Sequence, residues 1–167
     1  MDNEIVNKVD KAGLITLDLN DFVVPGKRVG LDLVDWLDDG LIIKEASFKK
    51  KLDEFNWESM ENSFVAVFCS KNVIIPIWAY LLIQTKLYTI ARQVFFSDIH
   101  TMDLLLFQQK VNTLNVDQYK NKRVFLKVCS GNEIPVGAFA LLTNRLITTV
   151  KSLFYGEPCS SVPLVKN

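Results

Sequence analysis

One segment of this chain occurs twice. Val65-Ala-Val-Phe-Cys-Ser-Lys-Asn-Val-Ile-Ile-Pro-Ile-Trp-Ala-Tyr80 recurs as Val124-Phe-Leu-Lys-Val-Cys-Ser-Gly-Asn-Glu-Ile-Pro-Val-Gly-Ala-Phe139. Each copy runs from an apolar β-like stretch through Cys-Ser into a helix opened by Ile-Pro. The match continues beyond the quoted residues: Leu82 with Leu141, Leu87 with Leu146, Thr89 with Thr148 and Phe95 with Phe154, so that 19 residues separate Pro from Phe in both copies. Aligning Cys-Ser on Cys-Ser leaves an offset of one residue in the loop before each proline, and gives Cys69 and Cys129 equivalent settings.

Short apolar runs alternating with helical stretches are the signature of βαβ units and a parallel sheet. The pattern predicts strands at 64–69, 93–96, 123–129 and 152–155, and helices at 75–91, 98–113 and 135–150. The expected fold is a single α/β domain with a mixed, mainly parallel sheet, helices packed on both faces and an internal βα repeat. Residues 61–167 form the βαβ core. Residues 1–60 read as an N-terminal hairpin plus helix: strands near Leu14–Leu19 and Arg28–Leu33 about a Pro25-Gly26 turn, a short helix at Val34–Leu37 ended by Asp39-Gly40, and a helix from Ser47 to Phe55 capped by Ser47. Phe48, Leu52 and Phe55 make its buried stripe and Lys49-Lys50-Lys51 a solvated face. Trp57 reads as a packing anchor, and Trp78 and Tyr80 as core at helical spacing.

At 167 residues the chain is long enough to bury a core without disulfides or a structural metal. Lysine plus arginine equals aspartate plus glutamate at 19 each, so no overall field attracts nucleic acid or an anionic membrane. The opening Met-Asp-Asn-Glu-Ile-Val lacks the basic start and apolar stretch of a secretory signal, and Val73–Ile83 is short for a membrane span, so a cytoplasmic location is expected. Three cysteines in a reducing compartment argue against a disulfide framework. The thiols are then packed fillers, metal ligands or nucleophiles.

Right-handed crossovers put the loops after parallel strands on one sheet edge, so Cys69 and Cys129 are expected to face one crevice. Cys159, in Tyr155-Gly-Glu-Pro-Cys-Ser-Ser-Val-Pro163, also follows a strand, and its flanking prolines predict an extended, stiff segment. Three thiolates suit zinc, iron or an iron–sulfur cluster, with His100 as an extra ligand. Ser70, Asn72, Ser130, Asn132, Glu157 and Ser160 supply hydrogen bonds around such a site. Each residue also has a plainer role: cysteine is among the most buried residue types, serine caps helices, and a single histidine at a helix start is commonly just exposed. Pro76 and Pro135 are expected in the first turn of their helices. No GxGxxG, Walker loop, GxSxG elbow or HExxH is present, so a dedicated hydrolase or dehydrogenase is not expected.

Cys69-Ser-Lys-Asn-Val-Ile-Ile-Pro-Ile-Trp-Ala-Tyr80, Gly40-Leu-Ile-Ile-Lys-Glu45 and the closing Gly156-Glu-Pro-Cys-Ser-Ser-Val-Pro163 together resemble the bacterial family catalogued as domain of unknown function 2480, over nearly the whole chain. The resemblance implies three functional positions at Cys69, Cys129 and Cys159. It also implies a small cytosolic protein associated with iron–sulfur assembly proteins. This chain has Asn72 where the family pattern favours Asp, and Val128 where members often have Gly.

These readings lead to an accessory protein that handles a metal, cluster or sulfur species through three cysteines. The rivals are a non-catalytic protein-interaction module with structural thiols, and an enzyme using Cys159 as nucleophile, for which no adequate base is evident.

Overall fold

The computed structural model describes residues 13–129 and 133–167. It is a mixed α/β, mainly parallel arrangement with interleaved strands and helices, as the alternating pattern predicts. The strands are β1 (Leu14–Asp18), β2 (Arg28–Asp32), β3 (Phe64–Phe68), β4 (Gln93–Phe95), β5 (Arg123–Lys127), β6 (Ser152–Glu157) and β7 (Ser160–Lys166). The helices are α1 (Glu45–Glu54), α2 (Ile77–Leu87), α3 (Ile99–Asn112) and α4 (Val136–Leu146). The strands make two sheets, ordered β1-β5-β6-β7 and β2-β3-β4. The chain divides in the same way into two compact units: the residues up to Val24 with Asp103–Asn167, and Pro25–Met102.

The N-terminal hairpin is not formed. β1 pairs in parallel with β5, from Leu14 opposite Arg123 to Asp18 opposite Lys127, and β2 pairs in parallel with β3, from Arg28 opposite Phe64 to Asp32 opposite Phe68. Each strand joins the core that buries its apolar face, and the two end alike. Asp18 and Asp32 turn their carboxylates back onto the N–H groups of Asn20 and Val34 at 2.9 and 3.0 Å, capping the 3₁₀ turns Leu19–Phe22 and Leu33–Trp36. The chain therefore leaves each strand through a capped turn instead of doubling back, and Leu19, Phe22, Leu33 and Trp36 are buried there.

The two units are copies of one plan. The strand and turn of Leu14–Phe22 recur 14 positions on as Arg28–Trp36. Everything from the 3₁₀ turn Trp57–Met60 to Phe95 recurs 59 positions on, including Asn62 and Asn121, both with positive φ and donating to Ile90 O and Thr149 O. The spacing is the same before and after the Cys-Ser loop: Phe64 aligns with Arg123 and Pro76 with Pro135. The loop therefore holds no insertion. Ser70, not Cys69, is the counterpart of Cys129, and Cys69 corresponds to Val128. The prolines stand one position earlier than expected, at the N-caps of α2 and α4, where their carbonyls accept from Ala79 and Ala138 at 3.0 and 2.8 Å.

Each unit has its own core. In the first, Ile15 and Leu17 of β1, Val124 and Leu126 of β5 and Leu153 of β6 pack against Ala138, Leu142 and Leu146, which recur every fourth residue along α4, with Phe22 and Phe107. In the second, Leu31, Val65 and Val67 pack against Ala79, Ile83 and Leu87 of α2 and against Phe48 and Leu52 of α1. Trp57 is the packing anchor the sequence suggests, its indole N–H donating to Leu52 O at 2.8 Å. α1 starts two residues before Ser47; its first turn is capped by Asp38, which accepts from Lys44 N at 2.9 Å and from the Ser47 hydroxyl. Lys49 and Lys50 lie exposed, four residues from Glu45 and Glu54, as a solvated face.

The sequence pattern misses β7. After β6 the chain reverses through Pro158-Cys159 and returns antiparallel, with Glu157 opposite Ser160. Pro163 sits in this edge strand opposite Phe154, beside a register irregularity at Leu153/Phe154, which is where a sheet tolerates proline. Gly156 makes the reversal possible: its φ is +106°, and an added Cβ would lie 2.6 Å from Ser160 O. Gly156→Ala is expected to lower stability by about 1–3 kcal/mol, seen as an earlier urea midpoint. An unchanged midpoint would show that the turn relaxes freely and does not hold the end of the sheet.

Candidate site at the carboxyl edge of the four-stranded sheet

In a parallel sheet the loops beyond the strands' carboxyl ends carry side chains that are not committed to the core. At this edge of the four-stranded sheet the structure gathers Asp18, which ends β1, and Asn20 after it; Lys127, which ends β5, and Cys129 after it; and Glu157, which ends β6, and Cys159 in the turn beyond. Asp18 is the hub. Its carboxylate accepts from the Asn20 N–H and the Asn20 side-chain amide, both at 2.9 Å, from the Cys129 N–H at 3.4 Å, and from the Cys129 thiol. The Asn20 amide also donates to Cys129 O at 2.7 Å, so the residue is held from both its backbone ends. The Lys127 ammonium bonds to the Cys129 thiol and lies 3.4 Å from Glu157 Oε1.

These contacts set the protonation states. Burial alone would push the Asp18 carboxyl up, but the hydrogen bonds from Cys129 and Asn20 outweigh it and hold the carboxyl below its ordinary value. The Cys129 thiol is raised, because its hydrogen bond to Asp18 favours the protonated form, with Lys127 opposing. Lys127 is raised by its bond to Cys129 and then by Glu157. Asp21 is raised by burial and by the Asp18 charge. The resting pair at neutral pH is thus a thiol guarded by a carboxylate. The bond is lost in acid as Asp18 gains a proton, and in alkali as Cys129 gives one up.

The equivalent edge of the three-stranded sheet keeps the hub and changes its surroundings. Asp32 accepts from the Ser70 N–H at 3.0 Å and from the Ser70 hydroxyl, and it too is held below the usual carboxylate range: burial pushes it up, but the Ser70 and Val34 bonds outweigh that. Here Val34 replaces Asn20, Phe68 replaces Lys127 and Ser70 replaces Cys129. Cys69 is half-buried against this unit's core, the position of a packed thiol. Asn72 is exposed on the loop. His100 is exposed in the first turn of α3, where Asp98 caps the helix through Thr101 N at 2.8 Å. An open groove of about 590 Å³ in this unit is lined by Asp32, Asp35, Trp36, Lys51, Glu54 and Phe55, and no cysteine borders it.

Of the expected residues the structure therefore brings Cys129, Cys159 and Glu157 to one sheet edge, with Ser160 opening β7 beside them. Cys69, Ser70, Asn72 and His100 belong to the second unit. Ser130 and Asn132 lie outside the described residues. Among the described residues no three His, Cys, Asp or Glu side chains come together in a way that holds a metal ion. Sequence reasoning missed Asp18, Asn20, Asp21 and Lys127. A signal was present: Leu17-Asp-Leu-Asn-Asp-Phe22 and Leu31-Asp-Leu-Val-Asp-Trp36 are a second repeated motif, and each contributes the carboxylate that its Cys-Ser loop needs.

The chain belongs to the family described as a protein of unknown function, DUF2480, whose model matches residues 3–167. No curated protein and no solved structure matches it. Among the described residues no helix is long and apolar enough to cross a membrane.

The guarded thiol gives a test with a definite sign. Asp18→Asn removes the group that keeps Cys129 protonated, so iodoacetamide should alkylate Cys129 several-fold faster at neutral pH, and Lys127→Met should slow it. Site-resolved mass spectrometry reads both rates. A slower reaction in Asp18→Asn would contradict the guarding role.

Proposed function

We propose that this protein is a small cytoplasmic accessory protein that carries a thiol-bound cargo on Cys129 and Cys159 and passes it to a partner. The cargo is a thiophilic metal ion such as zinc or iron, or a sulfur atom. The resemblance noted from the sequence points to iron–sulfur assembly proteins as the partners. The observation that carries this reading is the placement of two exposed thiols beyond adjacent strands at one sheet edge, with Lys127 bonded to the thiol of Cys129 and to Glu157, two residues before Cys159. Two sulfurs leave coordination positions open, which suits a cargo that must be released; a structural zinc site is closed by four ligands. Binding would displace the Cys129 proton, so uptake is favoured as pH rises. Cys69 takes no part in this reading and acts as a packed core thiol.

A second reading has its own observation. Ile77 and Leu81 on α2, with Ile74 before the helix and Tyr88 at its end, are 71, 52, 92 and 79% exposed, an apolar surface that suits a non-catalytic interaction module with structural thiols.

Anaerobic titration with zinc and ferrous iron against a competing chelator, alongside incubation with a persulfide donor, separates the two. Carriage predicts uptake of metal or sulfur that is weakened at least tenfold in Cys129→Ser and in Cys159→Ser and retained in Cys69→Ser. No uptake of either cargo, or uptake that depends on Cys69 alone, would overturn it.

A further inference from the structure

Beyond cargo carriage, and without depending on it, the geometry points to thiol–disulfide exchange: we propose that Cys159 and Cys129 form an internal disulfide when presented with a small-molecule disulfide. Cys159 is the entry thiol and Cys129 the resolving thiol.

The assignment of roles follows from position. Cys159 sits in the two-residue reversal between β6 and β7, exposed, at the tip of a hairpin whose flanking residues Glu157 and Ser160 are paired. It is the thiol an incoming disulfide meets first. Cys129 is also exposed but is tied by its backbone to Asp18 and Asn20, at 3.4 and 2.7 Å, and its thiol donates to the Asp18 carboxylate. A thiol so held is a poor first attacker, because the thiolate is the nucleophile. Its place is the second attack, once Cys159 carries the mixed disulfide: the thiol must first leave its bond to Asp18, and Lys127, whose charge favours the Cys129 thiolate, pairs with the sulfur's developing charge. The same Lys127 bonds to Glu157, two residues before Cys159, which links the two loops. In register terms, Cys129 and Cys159 lie three and four positions beyond the last paired residues, Leu126 and Tyr155, of adjacent parallel strands.

The chemistry balances in two steps. Cys159, as thiolate after losing its proton to solvent, attacks one sulfur of the small-molecule disulfide; that S–S bond breaks and one thiol leaves, taking up a proton. Cys129 then leaves its bond to Asp18, gives its proton to solvent and attacks the Cys159 sulfur of the mixed disulfide. The second thiol leaves as thiolate and takes up a proton from solvent. Two protein thiols are oxidised, and one disulfide is reduced to two thiols. The second unit cannot run this sequence at the matching edge, since Ser70 stands where Cys129 does.

Oxidised glutathione is the probe, with the full chain incubated at neutral pH and its cysteines mapped by mass spectrometry. The expected product is a Cys129–Cys159 disulfide within one chain, formed equally by Cys69→Ser. Cys129→Ser should trap glutathione on Cys159. Cys159→Ser should leave Cys129 modified at least tenfold more slowly than Cys159 is in wild type. Reduced chains with circular dichroism like wild type establish that each variant folds. Separate glutathionylation of both residues without a bridge, a bridge to Cys69, or disulfides only between chains would each overturn the proposal. Failure of metal or sulfur uptake leaves these outcomes unaffected, so the two readings fail independently.

Discussion

A carboxylate at the end of a strand, bonded both to its own following turn and to the loop of the neighbouring strand, organises each unit of this protein. Asp18 ties the 3₁₀ turn at Asn20 to the loop at Cys129, and Asp32 ties the turn at Val34 to the loop at Ser70. The bond does two jobs with one group. It satisfies the N–H groups exposed where a strand stops, and it fixes the register of a parallel pair at its open end, where no ladder bond remains to do so. Charge-assisted bonds of this kind are stronger than neutral ones, and the lowered proton affinity of both aspartates is the same fact seen from the proton's side.

With that frame shared, three positions around the carboxylate separate the two edges chemically. Asn20 against Val34 adds an amide that reaches the Cys129 carbonyl. Lys127 against Phe68 puts an ammonium beside the loop in the first unit and an apolar ring in the second. Cys129 against Ser70 puts a thiol where its twin has a hydroxyl. The first edge is charged and thiol-bearing, the second polar and structural. A duplicated unit in which one copy keeps the supporting bond and the other adds reactive groups to it separates holding the fold from carrying chemistry.

Much of this was legible in the residues. The strands, the helices and their proline starts follow from apolar alternation and from the fixed φ of Pro76 and Pro135, because those signals are local. Three features were not legible, each for a physical reason. The hairpin expected at Pro25-Gly26 fails because the partner of a parallel strand is chosen by core burial far along the chain, and the turn residues carry no record of it. β7 was hidden because Pro158 and Pro163 read as barriers to a sheet, whereas an edge strand has a side on which a missing N–H costs nothing. The gap placed before each proline came from matching Cys-Ser with Cys-Ser. Hydrogen bonding holds the chain to one spacing throughout, so the shared dipeptide is displaced by one residue and the equivalence of Cys69 with Cys129 does not stand.

The account rests on the three cysteines having three different environments: Cys159 open at a turn, Cys129 guarded by Asp18, and Cys69 packed against a core. Competitive alkylation of all three in one wild-type sample, followed by site-resolved mass spectrometry across a pH series, measures this directly. The predicted order at neutral pH is Cys159 first, Cys129 behind it and Cys69 last, with Cys129 closing on Cys159 as the solution becomes alkaline. Cys129 reacting as fast as Cys159 at neutral pH, or Cys69 outpacing either, would contradict the account.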